Sequence, residues 1–234
     1  MGIRENAVIE DASNPESEYI RFELQAIARA GDLSVYGYEF LYRGKAWPTS
    51  AAQWMAVDRA VLQYLSQAEE CDGKPCFINL SHESLLTTEE TWFAAACARN
   101  DLRFEMSEAA AENALFDQVC EKINRLSSLG MQFAIDDFGA GLDGSRRLYA
   151  LDTVAAIKVD RGLLVSAAGR PQAARMLEAS VASWKSAGIT TVAEGVESAE
   201  LLTFAHSIGF DLVQGWYIDT IDPPKKAFIS RAFF

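Results

Sequence analysis

Gln132-Phe133-Ala134-Ile135-Asp136-Asp137-Phe138-Gly139-Ala140-Gly141 is the stretch on which the reading of this chain turns. A short β-favouring apolar run ends in two adjacent carboxylates, and a glycine-rich turn follows at once. In water-poor surroundings neighbouring aspartates repel strongly, so Asp136 and Asp137 together call for positive charge between them. The pattern is that of a strand carrying acids to a metal-dependent site at its C-terminal end.

Outward from this stretch the same grammar repeats. Apolar runs predict strands over 20–28, 35–43, 76–80, 102–106, 132–136, 154–159, 190–193 and 212–217. Helical periodicity fills the intervals over 51–68, 83–98, 113–129 and 172–187, and from the N-cap Ser198 to Gly209. Gly130, Gly188 and Gly209 are placed as left-handed caps. The first two strands face each other across a Gly31-Asp32 turn, so one antiparallel strand is expected near the start. Strand-then-helix repetition at this pitch and length predicts an α/β fold, a modified TIM-type (β/α)8 barrel.

With 234 residues, half of them apolar, the chain is expected to form one large core over 19–234. Residues 1–18 are acidic, contain Pro15 and show neither period, so they read as a flexible lead-in or a linker from a larger protein. A net charge of -12 argues against a general grip on DNA or RNA duplexes. No apolar run reaches the ~18 residues of a membrane span and no secretory leader is visible, which predicts a cytoplasmic protein. Cys71, Cys76, Cys97 and Cys120 have no metal-ligand spacing and read as reduced packing residues.

In a barrel, side chains from many strands converge only where strands end, so the residues standing there matter most. In chain order they are Glu39, Asn79, Glu105, Asp136 with Asp137, Lys158, Glu194 and Gln214, separated by 40, 26, 31, 22, 36 and 20 residues. One polar group at a strand end is usually a helix cap or a loop contact. Seven in succession on apolar stems would share one low-dielectric mouth, which needs cations. Carboxylate and amide oxygens without histidine suit Mg²⁺ or Mn²⁺ better than Zn²⁺. Two ions fit the number of donors, with Asp136 between them, Glu39, Asn79 and Glu105 on one side and Asp137 and Glu194 on the other. Such a pair, about 4 Å apart, serves phosphodiester hydrolysis, and Lys158 would orient the attacking water.

Six further pieces accompany Glu39-Phe40-Leu41-Tyr42-Arg43: Phe77-Ile78-Asn79-Leu80-Ser81, Glu105-Met106-Ser107-Glu108, the Asp136-Asp137 stretch, Lys158-Val159-Asp160-Arg161, Ala193-Glu194-Gly195-Val196-Glu197 and Gln214-Gly215-Trp216-Tyr217. In this order, over about residues 20–224, they resemble the EAL-domain family of cyclic di-GMP phosphodiesterases. The resemblance implies a modified barrel that linearises cyclic di-GMP to pGpG with Mg²⁺ or Mn²⁺. It further implies a homodimer and a sensor domain or protein partner. Glu39, Asn79, Glu105, Asp136, Asp137 and Glu194 match the family's metal positions. Lys158, Glu194 and Gln214 match catalytic positions near the nucleophilic water, Arg43 and Leu41 match substrate contacts, and Glu108 matches a residue that steadies the loop after the paired aspartates.

Three departures stand out. Phe40 replaces alanine, although strand alternation turns it away from Glu39 and Leu41. The segment from Arg43 to Trp54 is shorter than usual, as in the EAL modules that accompany HDOD domains, many of them inactive. The stretch Gly141-Leu142-Asp143-Gly144-Ser145-Arg146-Arg147 also differs from the usual loop. The retained acids favour catalysis, whereas the short segment favours a module that binds cyclic di-GMP or a protein without turnover. A GxGxxG reading of Gly139 to Gly144 competes weakly, because two aspartates occupy the place of a pyrophosphate and 145–149 is a poor helix start. His82 and His206 read as packing or surface residues, with His82 close enough to Asn79 to touch a substrate.

Overall fold

A turn at residues 30–34 folds β1 (Tyr19–Arg29) back on β2 (Val35–Tyr42), pairing Phe22 with Tyr42 and Gln25 with Glu39. The computed structural model describes residues 19–106, 113–141 and 144–233. After β2 come α1 (Ala51–Leu65), β3 (Cys76–Leu80), α2 (His82–Thr87), α3 (Glu90–Cys97), β4 (Leu102–Met106) and α4 (Asn113–Ser128). The second half holds β5 (Gln132–Phe138), α5 (Gly144–Ala150), β6 (Ala156–Val159), α6 (Arg161–Ala168), α7 (Pro171–Ser186) and β7 (Thr190–Ala193). It ends with α8 (Ala199–Ile208), β8 (Leu212–Val213), α9 (Trp216–Asp219) and β9 (Lys225–Ser230).

Strands β2 to β8 run parallel, each bonded to the next, and β1 closes the ring by pairing antiparallel with both β2 and β8. The result is the predicted (β/α)8 barrel with one inverted strand. Strand β9 lies outside the ring, antiparallel to the first half of β1 from Tyr19 to Leu24. No helix of the described residues is long and apolar enough to cross a membrane.

Alternation along the strands builds two interior layers. Ile27, Phe77, Ala134, Ala156, Val192 and Leu212 pack on one another as an apolar plug. Two positions farther along each parallel strand stand Asn79, Asp136, Lys158, Glu194 and Gln214; on inverted β1 the equivalent step runs backwards, to Gln25. A dry floor thus lies directly under a polar layer. Outside the ring, Phe104 packs between Phe93 of α3 and Phe133 of β5, with ring centroids 5.3 and 5.5 Å away. Burying each such ring contributes roughly 1.5–3 kcal/mol.

Several predicted elements differ in detail. The single helix expected over 83–98 is two, because Thr88 takes an extended conformation between α2 and α3. The stretch 145–149, read as a poor helix start, lies within α5 and is held there by Arg147. The strand expected over 212–217 stops at Val213, and α9 begins at Trp216. Helix α6 and strand β9 were not anticipated. Ser198 and Gly209 cap α8 as expected, the first accepting from Leu201 N and the second with φ 92°.

Candidate active site at the barrel mouth

The Asp136-Asp137 pair owes its geometry to a break in alternation. Adjacent strand residues normally point to opposite faces, which would send only one aspartate inward. Between β5 and β6 the register slips by one residue, from Ile135 opposite Ile157 to Phe138 opposite Val159, and Asp137 adopts φ 51°. This bulge turns both carboxylates to one side, so that oxygens of Asp136, Asp137 and Glu194 lie within 4.8 Å of one another. The chain then leaves through Gly139, at φ 98°, where a side chain would collide with Leu163.

Lys158 stands at the centre of the mouth. Its Nζ is 2.6 Å from Glu105, 2.8 Å from Asp136, 2.9 Å from Glu194 and 3.1 Å from Glu39. Asn79 Nδ2 donates to Glu39 Oε1 at 2.8 Å, and Gln214 Nε2 donates to Glu39 Oε2 at 2.7 Å. Every polar strand-end residue read from the sequence therefore faces this mouth, apart from Glu108, which lies outside the described residues. Arg43 sits at the rim, its Nε donating to Glu23 Oε2 at 2.9 Å. Leu41 lines both a pocket of about 220 Å³ over Glu39, Glu194 and Gln214 and a neighbouring groove of about 540 Å³.

Charge in the mouth is unbalanced, with one ammonium facing four carboxylates and Asp137 close by. Burial pushes Glu105 well above the ordinary carboxylate range, and the Glu39 charge adds to it. Burial likewise lifts Glu194 to about 8 and, with the Asp136 charge, Asp137 to about 6. Burial alone would raise Glu39 too, but the Lys158 ammonium and the Gln214 and Asn79 amides hold it low. Desolvation opposes the charge on Lys158, and the surrounding carboxylates overcome it and raise its pKa. The fully buried Glu105 meets Lys158 through Oε1, and its Oε2 accepts no hydrogen bond. An unpartnered carboxylate oxygen and an all-oxygen donor set, with more carboxylates than Lys158 alone can neutralise, fit hard divalent cations.

Two residues of the mouth escaped the sequence reading. Gln25 accepts from Gln214 Nε2 at 2.9 Å and donates to Asp219 Oδ2 at 2.8 Å, linking β1, β8 and α9. Arg147, fully buried on α5, donates through Nη1 to the carbonyls of Met106 at 2.8 Å and Asp136 at 2.6 Å. It thereby ties the paired-aspartate strand to β4. His82 is buried at the start of α2 and lines the larger groove, while His206 is exposed on α8.

Known proteins share this architecture. The family model of the EAL domain matches residues 52–220, starting beyond Glu39. A protein of Pseudomonas aeruginosa named cyclic di-GMP phosphodiesterase NbdA is 31% identical over 142 residues, which is 60% of this chain and 18% of that protein. The chain thus spans less than a fifth of that relative's length. The structure of Klebsiella pneumoniae BlrP1 in complex with calcium and cyclic di-GMP superposes with a TM-score of 0.70 at 27% identity, over 86% of this chain and 55% of that one. The EAL domain of FimX from Pseudomonas aeruginosa, bound to cyclic di-GMP, gives a TM-score of 0.68 at 25% identity, over 92% of both chains. By the match to its family model, the chain belongs to the EAL domain family.

Proposed function

We propose that this domain hydrolyses cyclic di-GMP to linear pGpG with Mg²⁺ or Mn²⁺, held as two ions by Glu39, Asn79, Glu105, Asp136, Asp137 and Glu194. The observation that carries this reading is the surplus of carboxylates around Lys158, including buried Glu105, whose Oε2 has no hydrogen-bond donor. When bound, such ions neutralise charge on a phosphoryl oxygen and make water more acidic. The names of NbdA and of the two ligand-bound structures support the choice of substrate.

The chain's own groups divide the work. Gln214 keeps the Glu39 carboxylate oriented and, with Lys158 and Glu194, holds the attacking water by hydrogen bonds and steadies charge that develops on the phosphate. Arg43, held at the rim by its pairing with Glu23, contacts a phosphate. Leu41 lies under the substrate between the two pockets, and Glu108 steadies the loop after Asp137. The domain pairs as a homodimer and answers to a sensor domain or protein partner in the cytoplasm. The 88% exposed Tyr149, on the helix that follows the paired-aspartate loop, supports the pairing.

Incubation with cyclic di-GMP and Mg²⁺ or Mn²⁺, followed by chromatography, is expected to yield pGpG, and Glu39→Ala and Asp137→Asn are expected to abolish it. A parent protein that binds the ligand but gives no product assigns the domain to the non-catalytic class, to which the short Arg43 to Trp54 segment points.

A further inference from the structure

A short segment joins β2 to α1. It is pinned at both ends: Tyr42 Oη donates to Ala46 O at 2.7 Å, and Thr49 donates to Gln53 Oε1 through N at 2.7 Å and Oγ1 at 3.1 Å. Between these ties Trp47 meets Tyr42 and Trp54 edge-on, with centroid separations of 5.8 and 5.1 Å. Gly44 permits the arrangement, because a side chain there would collide with the Tyr42 phenol. Yet Trp47 remains 64% exposed. An indole held this firmly with so much surface in water is a pre-organised contact area, since its rotamers are already restricted before anything binds.

The position of Trp47 says what it contacts. It lines the groove of about 540 Å³ together with Arg43, Leu41 and Asn79. Leu41 also lines the pocket above Glu39, Glu194 and Gln214, so groove and carboxylate mouth adjoin across it. Flat aromatic surface, a guanidinium and a cation-binding mouth in sequence match a base, a phosphate and a scissile phosphodiester.

We propose that Trp47 is a stacking platform for one base of the cyclic dinucleotide. The inference rests on the phosphodiesterase reading of this site. Trp47 lines the groove and not the pocket over Glu39, Glu194 and Gln214, so it would touch a base and not the reacting phosphate. Stacking is present equally in the ground and transition states, so its loss raises KM and leaves kcat alone. Removing one base–aromatic stack weakens binding roughly 5- to 150-fold.

The test is calorimetric titration of cyclic di-GMP with calcium, the ion present in the Klebsiella complex, joined to steady-state kinetics with Mn²⁺. Trp47→Ala is expected to bind at least about tenfold more weakly with kcat within twofold of the parent, and Trp47→Phe, which keeps a stacking ring, to stay within about threefold. Unchanged affinity of Trp47→Ala, or equal weakening of both variants, overturns the platform while the phosphodiesterase reading stands. A parent that neither binds nor cleaves cyclic di-GMP overturns both.

Discussion

Replacing Asp137 by asparagine should make the metal-free protein more stable while it destroys the site. Asparagine keeps the shape of the side chain and tolerates a φ of 51° at least as well, so the bulge is undisturbed. What changes is charge. The folded carboxyl titrates at about 6 against an ordinary 3.8, and each tenfold difference is worth about 1.4 kcal/mol, giving a ceiling near 3 kcal/mol. Asp137 is only half-buried, and solvent screening reduces this to about 1–1.5 kcal/mol. The folded state holds its proton more tightly, so the penalty on the parent grows as pH rises from about 4 to 6 and is complete above that. Urea unfolding of chelator-treated protein at pH 7.5 should therefore show a midpoint about 0.5 M higher for Asp137→Asn. At pH 4 the difference should nearly vanish. Saturating Mn²⁺ should reverse the order, since ligand at a hundred times its Kd adds about 2.7 kcal/mol to the parent and the variant has lost a donor. A variant less stable than the parent without metal at pH 7.5, or an advantage equal at both pH values, refutes the electrostatic account.

Glu194 and Asp137 hold protons up to about 8 and about 6, so cation affinity should climb between pH 6 and 8 and then level; calorimetry in buffers of different ionisation enthalpy should detect the released protons. Arg147→Met strips a buried donor from two carbonyls and should lower the unfolding free energy by at least about 2 kcal/mol in urea, with a parallel fall in cation affinity. Gln25→Leu frees the Gln214 amide from its neighbour and should cut kcat by roughly ten- to a hundredfold, with cation binding by calorimetry unchanged. Glu105→Gln replaces a carboxyl whose ionisation burial opposes and should raise the metal-free melting temperature at pH 8 while abolishing pGpG formation.

The barrel and most of its mouth were legible because the same alternation serves both. An apolar stem that must bury one face in the ring places every second residue inward, so Phe77 predicts Asn79 and Ala134 predicts Asp136. Gln25 follows the same rule but stands in the middle of β1, because that strand runs the other way and its inward polar residue precedes the apolar one. Arg147 could not be read at all, since its acceptors are the carbonyls of Met106 and Asp136, which leave no mark on side-chain identity. Helix α5 was missed for the same reason, as the buried guanidinium anchors a segment whose own pattern is weak. The break at Thr88 was hidden by apolar residues on both sides of it. Asp137 was correctly singled out as a partner of Asp136, while the left-handed turn that lets the two face together is a property of the backbone.

The inverted first strand has a consequence for biogenesis. As the nascent chain leaves the ribosome, β1 finds β2 almost immediately, but its other neighbours, β8 and β9, lie about 180 residues or more farther along the chain. One edge of the β1–β2 hairpin, from Tyr19 to Leu24 and at Ala28 and Arg29, has no strand to pair with until those elements exist. Ring closure is thus a long-range, late event, and such chains fold slowly and expose sticky intermediates. Overexpression at low temperature or alongside a chaperone should recover more native protein than any change made at the carboxylate mouth.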